Sequence, residues 1–125
     1  MRTVTLKVPY VGPSLNSIYA GVHWKKRKDQ ADEAHLCVKL SLKGVEPFTK
    51  PVHLNFQPLH KGRGYDVSNY AYTAKLIEDG LVLCGVIPDD TCKWVKRITI
   101  DEPIKVKGES LTVVTIVEVD DEKRN

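Results

Sequence analysis

Hydrophobic residues along this chain switch repeatedly between a two-residue and a three-to-four-residue period, and that switching limits what the chain can fold into. In TVTLKV, Val4, Leu6 and Val8 fall on one side and Thr3, Thr5 and Lys7 on the other, the alternation of a half-buried strand. Pro9 stops it, and YVGPSLNSIY supplies Gly12, Pro13, Ser14 and Asn16, all loop formers. From about Asp29 to Lys43 the period lengthens. Ala31, Ala34, Val38 and Leu42 make a helical stripe, with Leu36 and Leu40 at its border, and Gly44 and Pro47 end it. PVHLNFQP alternates again, with Val52, Leu54 and Phe56 inward, and LHKGRGYD leads out of it as a glycine-bearing loop. A second helix is expected over Asn69 to Leu83. Tyr70, Ala74, Ile77 and Leu81 share one stripe, and Tyr72, Lys75 and Asp79 share a different face. Gly80 fits that helix imperfectly, and Gly85 is a natural C-terminal stop.

CKWVKRITI and SLTVVTIVEV read as two closing strands. They are expected to pair antiparallel, with DEPIKVKGE as the connection. The last strand is nearly all β-branched, the composition of a strand buried on both faces. The order is β-α-β-α-β-β, an α+β fold with a mixed sheet and two helices packed on it. At 125 residues and 42% apolar composition, the chain suits one domain spanning 1–125, with an acidic and polar tail over 117–125 that includes Asp120, Asp121 and Glu122.

The formal charge is only +3, so total charge does not announce a polyanionic partner, but Lys25, Lys26, Arg27 and Lys28 form one block. Three cysteines (Cys37, Cys84 and Cys92), with no C-x-x-C pair, read as small buried hydrophobes and as reduced thiols of a cytoplasmic protein. The N-terminus lacks the apolar run of a signal peptide, and no segment approaches the roughly 20 apolar residues of a membrane span.

The acidic residues carry the chemistry. Asp66 lies just past a strand, and Asp89 and Asp90 lie between a helix and the next strand, where distant parts of a chain converge. Carboxylate oxygens in such a place suit a hard cation, Mg²⁺ or alternatively Mn²⁺. The plain alternative is that Asp89 and Asp90 are turn residues and that Asp66 begins a helix. Lys75 has two readings, an ion pair with Asp79 one helical turn on or an ammonium beside a scissile phosphate. Asn69 caps its helix, orients Asp66 or binds a phosphate oxygen. His23, His35, His53 and His60 are scattered and read as surface or core residues.

Three stretches together give the chain a family likeness. VPYVGPSLNSIYAGVHW contains a P-S-x-N-x-x-Y loop at Pro13, Ser14, Asn16 and Tyr19. YDVSNYAYTAKLIEDGLV is similar to a D-x-D-N motif followed by a helix bearing Lys and Asp, and CGVIPDDTCKWV to a G-x-x-x-D-D segment. In this order they resemble the RusA family of Holliday-junction resolvases, particularly its phage and prophage type. The resemblance implies a homodimeric, Mg²⁺-dependent endonuclease that cuts branched DNA at four-way junctions. On the matching positions, Asp66 and Asp90 correspond to metal-binding aspartates, Asp89 to the acidic neighbour of Asp90, Lys75 to the essential lysine and Asp79 to an acidic position beyond it. Asp66, Lys75 and Asp90 would then be catalytic, with Asp66, Asp89 and Asp90 holding the metal. Ser68 stands where the family pattern has its second aspartate, and a serine hydroxyl is a poor metal ligand.

DNA would be held through Lys25, Lys26, Arg27 and Lys28, with Lys61, Arg63 and Asn69 near the metal loop, largely by sequence-independent phosphate contacts. The bland reading of the block is a solvated basic face. Trp24 and Tyr19 either anchor their loop to the core or pack against the nucleic acid. Three other functions fit less of the sequence: a binder of branched DNA that no longer cuts, a phosphohydrolase for flaps or nucleotides, and a small interaction protein.

Overall fold

A computed structural model of the chain describes residues 1–120, so Asp121 and Glu122 of the acidic tail lie outside the described residues. The fold is α+β. Its elements run β1 (Thr3–Val8), α1 (Leu15–Tyr19), α2 (Trp24–Ser41), β2 (Val52–Lys61), a short 3₁₀ helix (Val67–Tyr70), α3 (Ala71–Leu83), β3 (Val95–Ile100), β4 (Ile104–Val106) and β5 (Leu111–Glu118). One five-stranded mixed sheet has the order β1-β5-β2-β3, with β4 also paired to β2.

The expected antiparallel pairing of the two closing strands does not occur. β5 inserts between β1 and β2, antiparallel to both, and β3 lies parallel to β2 on its other side. The most β-branched strand thus takes a central place, where both edges are hydrogen-bonded. The segment DEPIKVKGE is more than a connection, because Ile104–Val106 continues the sheet edge as β4, parallel to the end of β2. β5 also extends to Glu118, two residues into the segment read as tail.

Burial alternates along β2 and β5, with Val52, Leu54, Phe56, Val114 and Ile116 buried and His53, Asn55, Val113 and Thr115 partly exposed. β5 is therefore covered on one face only, contrary to the reading from its composition. The reason lies in its neighbours. The register aligns Leu6 and Phe56 with Val114 on one face, and Thr5 and Asn55 with Thr115 on the other. Only the first face is apolar across all three strands, so α2 and α3 pack there.

The expected stripe of Tyr70, Ala74, Ile77 and Leu81, which starts in the 3₁₀ helix and continues along α3, is buried throughout. In α2, Ala34 and Val38 are buried while Leu36 and Leu40 are exposed. Gln30 meets Tyr72 and Val38 meets Gly80, so the two helices run side by side in the same direction. Gly80 is the contact point. A Cβ there would lie 3.0 Å from a Val38 methyl, so close helix packing explains a glycine that local propensity disfavours. Gly44 and Gly85 follow the two helices with φ near +77°, the left-handed conformation of a C-terminal stop.

Helix α2 begins five residues before the expected Asp29, so the basic block is helical. Lysine and arginine are good helix formers, and His23 supplies the cap, its Nδ1 accepting from the Lys25 backbone N–H at 3.2 Å. The cysteines also depart from expectation: Cys37 is half-buried, but Cys84 and Cys92 are exposed because both lie in the turns around 84–92. Among the described residues no helix is long and apolar enough to cross a membrane.

Candidate functional site

Lys75 stands one turn into α3 with its side chain 55% exposed, and three carboxylates surround its Nζ. Asp79, the i+4 neighbour, accepts at 3.1 Å and Glu78, the i+3 neighbour, lies at 3.7 Å. Asp90 arrives from the loop between α3 and β3 and accepts at 2.8 Å. Asp89 does not touch the lysine. Its Oδ1 accepts from the Asp90 backbone N–H at 2.8 Å, which braces the loop. The expected pair with Asp79 is present, and Lys75 also gathers an acid from outside its helix.

The electrostatics follow. The hydrogen bonds that Lys75 donates to Asp90 and Asp79 raise its ammonium above the usual lysine range, against the opposing effect of burial. The hydrogen bond from Lys75 and its charge hold the Asp90 carboxyl below the ordinary aspartate range. Glu78 behaves oppositely. It is only 5% exposed, and burial pushes its carboxyl upward, with Lys75 partly offsetting that. Its buried place follows from lying next to Ile77 on the inward stripe while also being three residues from Lys75.

Glu78, Asp79 and Asp90 each offer one oxygen within 4.8 Å of the others. These are hard oxygen donors of the kind Mg²⁺ and Mn²⁺ take, so the donor chemistry fits such an ion. The group differs from the expected Asp66, Asp89 and Asp90, of which only Asp90 belongs to it. Helical geometry accounts for the gap. The nine residues from Asp66 to Lys75, 3₁₀ and then α-helical, rise about 15 Å. Glu78 was missed because its helix face was read only for apolar residues and for the line from Lys75 to Asp79. Its i+3 spacing from Lys75 was the available signal.

Asp66 occupies the N-cap position of the 3₁₀ helix, but its exposed carboxylate makes no cap hydrogen bond; the Asp66 carbonyl accepts from the Asn69 N–H instead. The Asn69 side chain neither caps its helix nor bonds Asp66: its Oδ1 accepts from the Asn16 N–H at 2.9 Å. Two further bonds tie the N-terminal loop to the same region. The Gly12 N–H donates to Thr73 Oγ1 at 2.9 Å, and the Tyr65 hydroxyl donates to the Gly12 carbonyl at 3.1 Å. The loop P-S-x-N and the stretch around Asp66 therefore meet, although more than fifty residues separate them in sequence.

Lys25, Lys26, Arg27 and Lys28 are all exposed at the start of α2, with Lys28 paired to Asp32 at 2.9 Å. The parallel helix pair brings this end of α2 beside the start of α3, and the Arg27 charge reaches Tyr72. Tyr19 and Trp24 are 78% and 63% exposed, so they do not anchor their loop in the core. Lys61 and Arg63 are exposed around the end of β2, Lys61 lying 3.7 Å from Glu109. Of the histidines, His23 caps α2 and His60 bonds the Tyr70 hydroxyl, two structural roles that residue type alone does not announce. No model of a known protein family matches the chain, and no curated protein matches it. Its site is therefore defined by its own geometry: a lysine ringed by three acids, with an exposed aspartate and a basic helix end at the head of the helix pair.

Proposed function

We propose that the protein is a metal-dependent endodeoxyribonuclease that hydrolyses phosphodiesters in branched DNA, a four-way junction above all, and that it works as a homodimer in the cytoplasm. The observation that carries this reading is the seating of Asp90 against Lys75. A loop fifteen residues away in sequence delivers an acid to an exposed helix lysine, where Glu78 and Asp79 already stand. The motif resemblance assigns the same two residues to catalysis.

In this reading Asp90, Asp79 and Glu78 would hold the ion, while Asp66 stands apart at the head of α3. A bound divalent ion supplies Lewis-acid stabilisation of the phosphate and a water of lowered pKa. Lys75 places its ammonium against a non-bridging phosphate oxygen, where negative charge grows in the transition state. The exposed ion pairs around Lys75 are easily exchanged for such contacts because solvent already screens them. The block from Lys25 to Lys28 neutralises backbone phosphates at the same end of the helix pair as Asp66 and Asn69, and Tyr19 and Trp24 offer exposed rings to unstacked bases. Two sites related by a dimer axis would match the near-symmetry of a four-way junction.

A second reading, a protein that binds branched DNA without cutting it, has specific support. Ser68 removes one expected carboxylate, and Asp66 stands apart from the acids gathered around Lys75. Incubation of the protein with an end-labelled four-way junction in Mg²⁺ or Mn²⁺ separates the two. Symmetric nicks that EDTA abolishes establish the nuclease. Salt-sensitive binding with no nicks at any metal concentration establishes the binder, and no binding at all removes both.

A further inference from the structure

The basic residues that the function above does not use gather on one edge of the sheet. β3 and β4 pair with β2 alone, so among the described residues their other edge is open. Residues 93–107 carry Lys93, Lys96, Arg97, Lys105 and Lys107 against Asp101 and Glu102, a net +3 that equals the formal charge of the whole chain. Lys93, Arg97, Lys105 and Lys107 are exposed. Among the described residues Arg97, Lys105 and Lys107 make no ion pair, in contrast to Lys28, Lys61 and Lys75. Cations left unneutralised keep the field that draws a polyanion. An added β-strand fits this edge poorly, because residues 101–103 break it into pieces of six and three residues, with Pro103 at the break. Of the two acids there, Asp101 accepts from Asn55 Nδ2 at 3.2 Å, which holds it toward the uncovered face of the sheet. Positive charge is the feature that both pieces share.

The register places this strip. Arg97 stands opposite His53 and Lys105 opposite His60, so the two lie seven strand residues apart, about 23 Å. That is close to seven nucleotide steps along a duplex. The strip begins three residues after Asp90 and ends beside Lys61 at the end of β2. The helices fix which side it is on. α2 touches β1, and its Cys37 thiol bonds the Pro9 carbonyl, whereas the 3₁₀ turn ahead of α3 touches β3. β1 and β3 are opposite edges of the sheet. α3, with Lys75 and its acids, therefore lies between two basic surfaces, the start of α2 on one flank and the β3–β4 edge on the other.

We propose that the β3–β4 edge binds the phosphate backbone of a second DNA arm while the start of α2 binds the first, so that α3 faces the point where the arms meet. The identity of the polyanion as branched DNA rests on the function proposed above. A linear duplex is stiff over this length and lies along one flank without turning round α3 to reach the other. Arms that diverge from a branch reach both. The edge therefore supplies selectivity for branched over linear DNA, through phosphate contacts that read no sequence.

The test measures fluorescence anisotropy of the full chain with a labelled four-way junction and with a linear duplex of the same arm sequence, in EDTA so that neither is cut. Arg97→Gln, Lys105→Gln and Lys107→Gln combined are expected to weaken junction binding at least about tenfold near 0.1 M salt and to lower the slope of log affinity against log salt by about 2 to 3, with duplex affinity within about twofold. Arg97→Lys, Lys105→Arg and Lys107→Arg combined keep the charge and should keep the affinity, which separates lost charge from a lost fold. Lys25→Gln, Lys26→Gln and Arg27→Gln combined should weaken binding of both DNAs. Equal losses on junction and duplex for the neutralised edge, or no loss on either, overturn the proposal; an edge that instead receives a protein strand gives the second result. Nicking in Mg²⁺ or Mn²⁺ tells the two readings apart. A nuclease whose junction affinity ignores the edge sinks the edge alone. Edge-dependent junction binding without nicks sinks the nuclease and upholds the edge, and no binding of either DNA sinks both.

Discussion

The two ends of the candidate site are built on opposite principles. Around Lys75 the order comes from charge: an exposed ammonium and three carboxylates, with Asp79 and Asp90 open to water. Around Asp66 it comes from packing and buried hydrogen bonds, through a buried tyrosine, a histidine and a glycine with no room for a side chain. Exposed ion pairs are weak and exchangeable, while a satisfied buried network is rigid and costly to break. One end can therefore trade its internal partners for a cation or a phosphate, and the other can only present what it holds. A site for a charged substrate needs both properties.

That contrast can be broken at four points. The largest effect is expected at Asp90. Asp90→Asn should lower junction cleavage by about a thousandfold while binding survives or tightens, since a negative charge facing phosphate is lost. Retained cleavage would remove Asp90 from the site. Lys75→Ala should follow, with a rate roughly a hundredfold lower and junction affinity within about threefold. Equal losses in single-turnover rate and affinity would make Lys75 a binding residue only. Third, stability should separate the two ends. Gly64→Ala forces a Cβ into the Tyr70 hydroxyl and should cost about 2 kcal/mol, whereas Asp79→Ala should cost less than about 1 kcal/mol in urea unfolding. Similar costs would erase the distinction drawn here.

The smallest effect concerns pH. Burial raises the Glu78 carboxyl above its ordinary 4.5, so the folded state binds more protons there than the unfolded chain. The stability Glu78 contributes is complete below 4.5 and is lost as pH rises through the raised value. Asp90 has the reverse sign: its contribution is present above 3.8 and fades as pH falls through its lowered value. Glu78→Gln removes the first trend alone. Its melting temperature relative to the unaltered protein should climb by about 1–3 °C between pH 4 and pH 7, measured by calorimetry. A difference that stays flat or shrinks with pH would show that Lys75 fully compensates the buried charge.

Much of the fold was legible in residue spacing. The stripe Tyr70, Ala74, Ile77 and Leu81, the alternation in β1 and β2, and the glycine stops at 44 and 85 are local patterns, and each is where the periods place it. Strand partners were not legible. β5 reads equally well as a mate for β3 or as a central strand, and its composition conceals that one of its faces is uncovered. The site divides along the same line. Lys75 with Asp79 is a one-turn relation visible in any helix. The arrival of Asp90, the burial of Glu78 and the hydrogen bond between His60 and Tyr70 depend on how a loop and the end of β2 meet α3 and the 3₁₀ turn before it.

Local order in this protein is thus written in short-range periodicity, because a helix or strand repeats its geometry every few residues and sorts apolar from polar side chains as it does so. What joins Lys75 to Asp90, and Asn16 to Asn69, is contact between segments far apart in the chain. Such contacts are selected by the packing of the whole apolar face and leave no periodic mark on either segment. The separation of Asp66 from the acids around Lys75 has the opposite, local origin: two residues that a motif lists together are set apart by the rise of the helix between them.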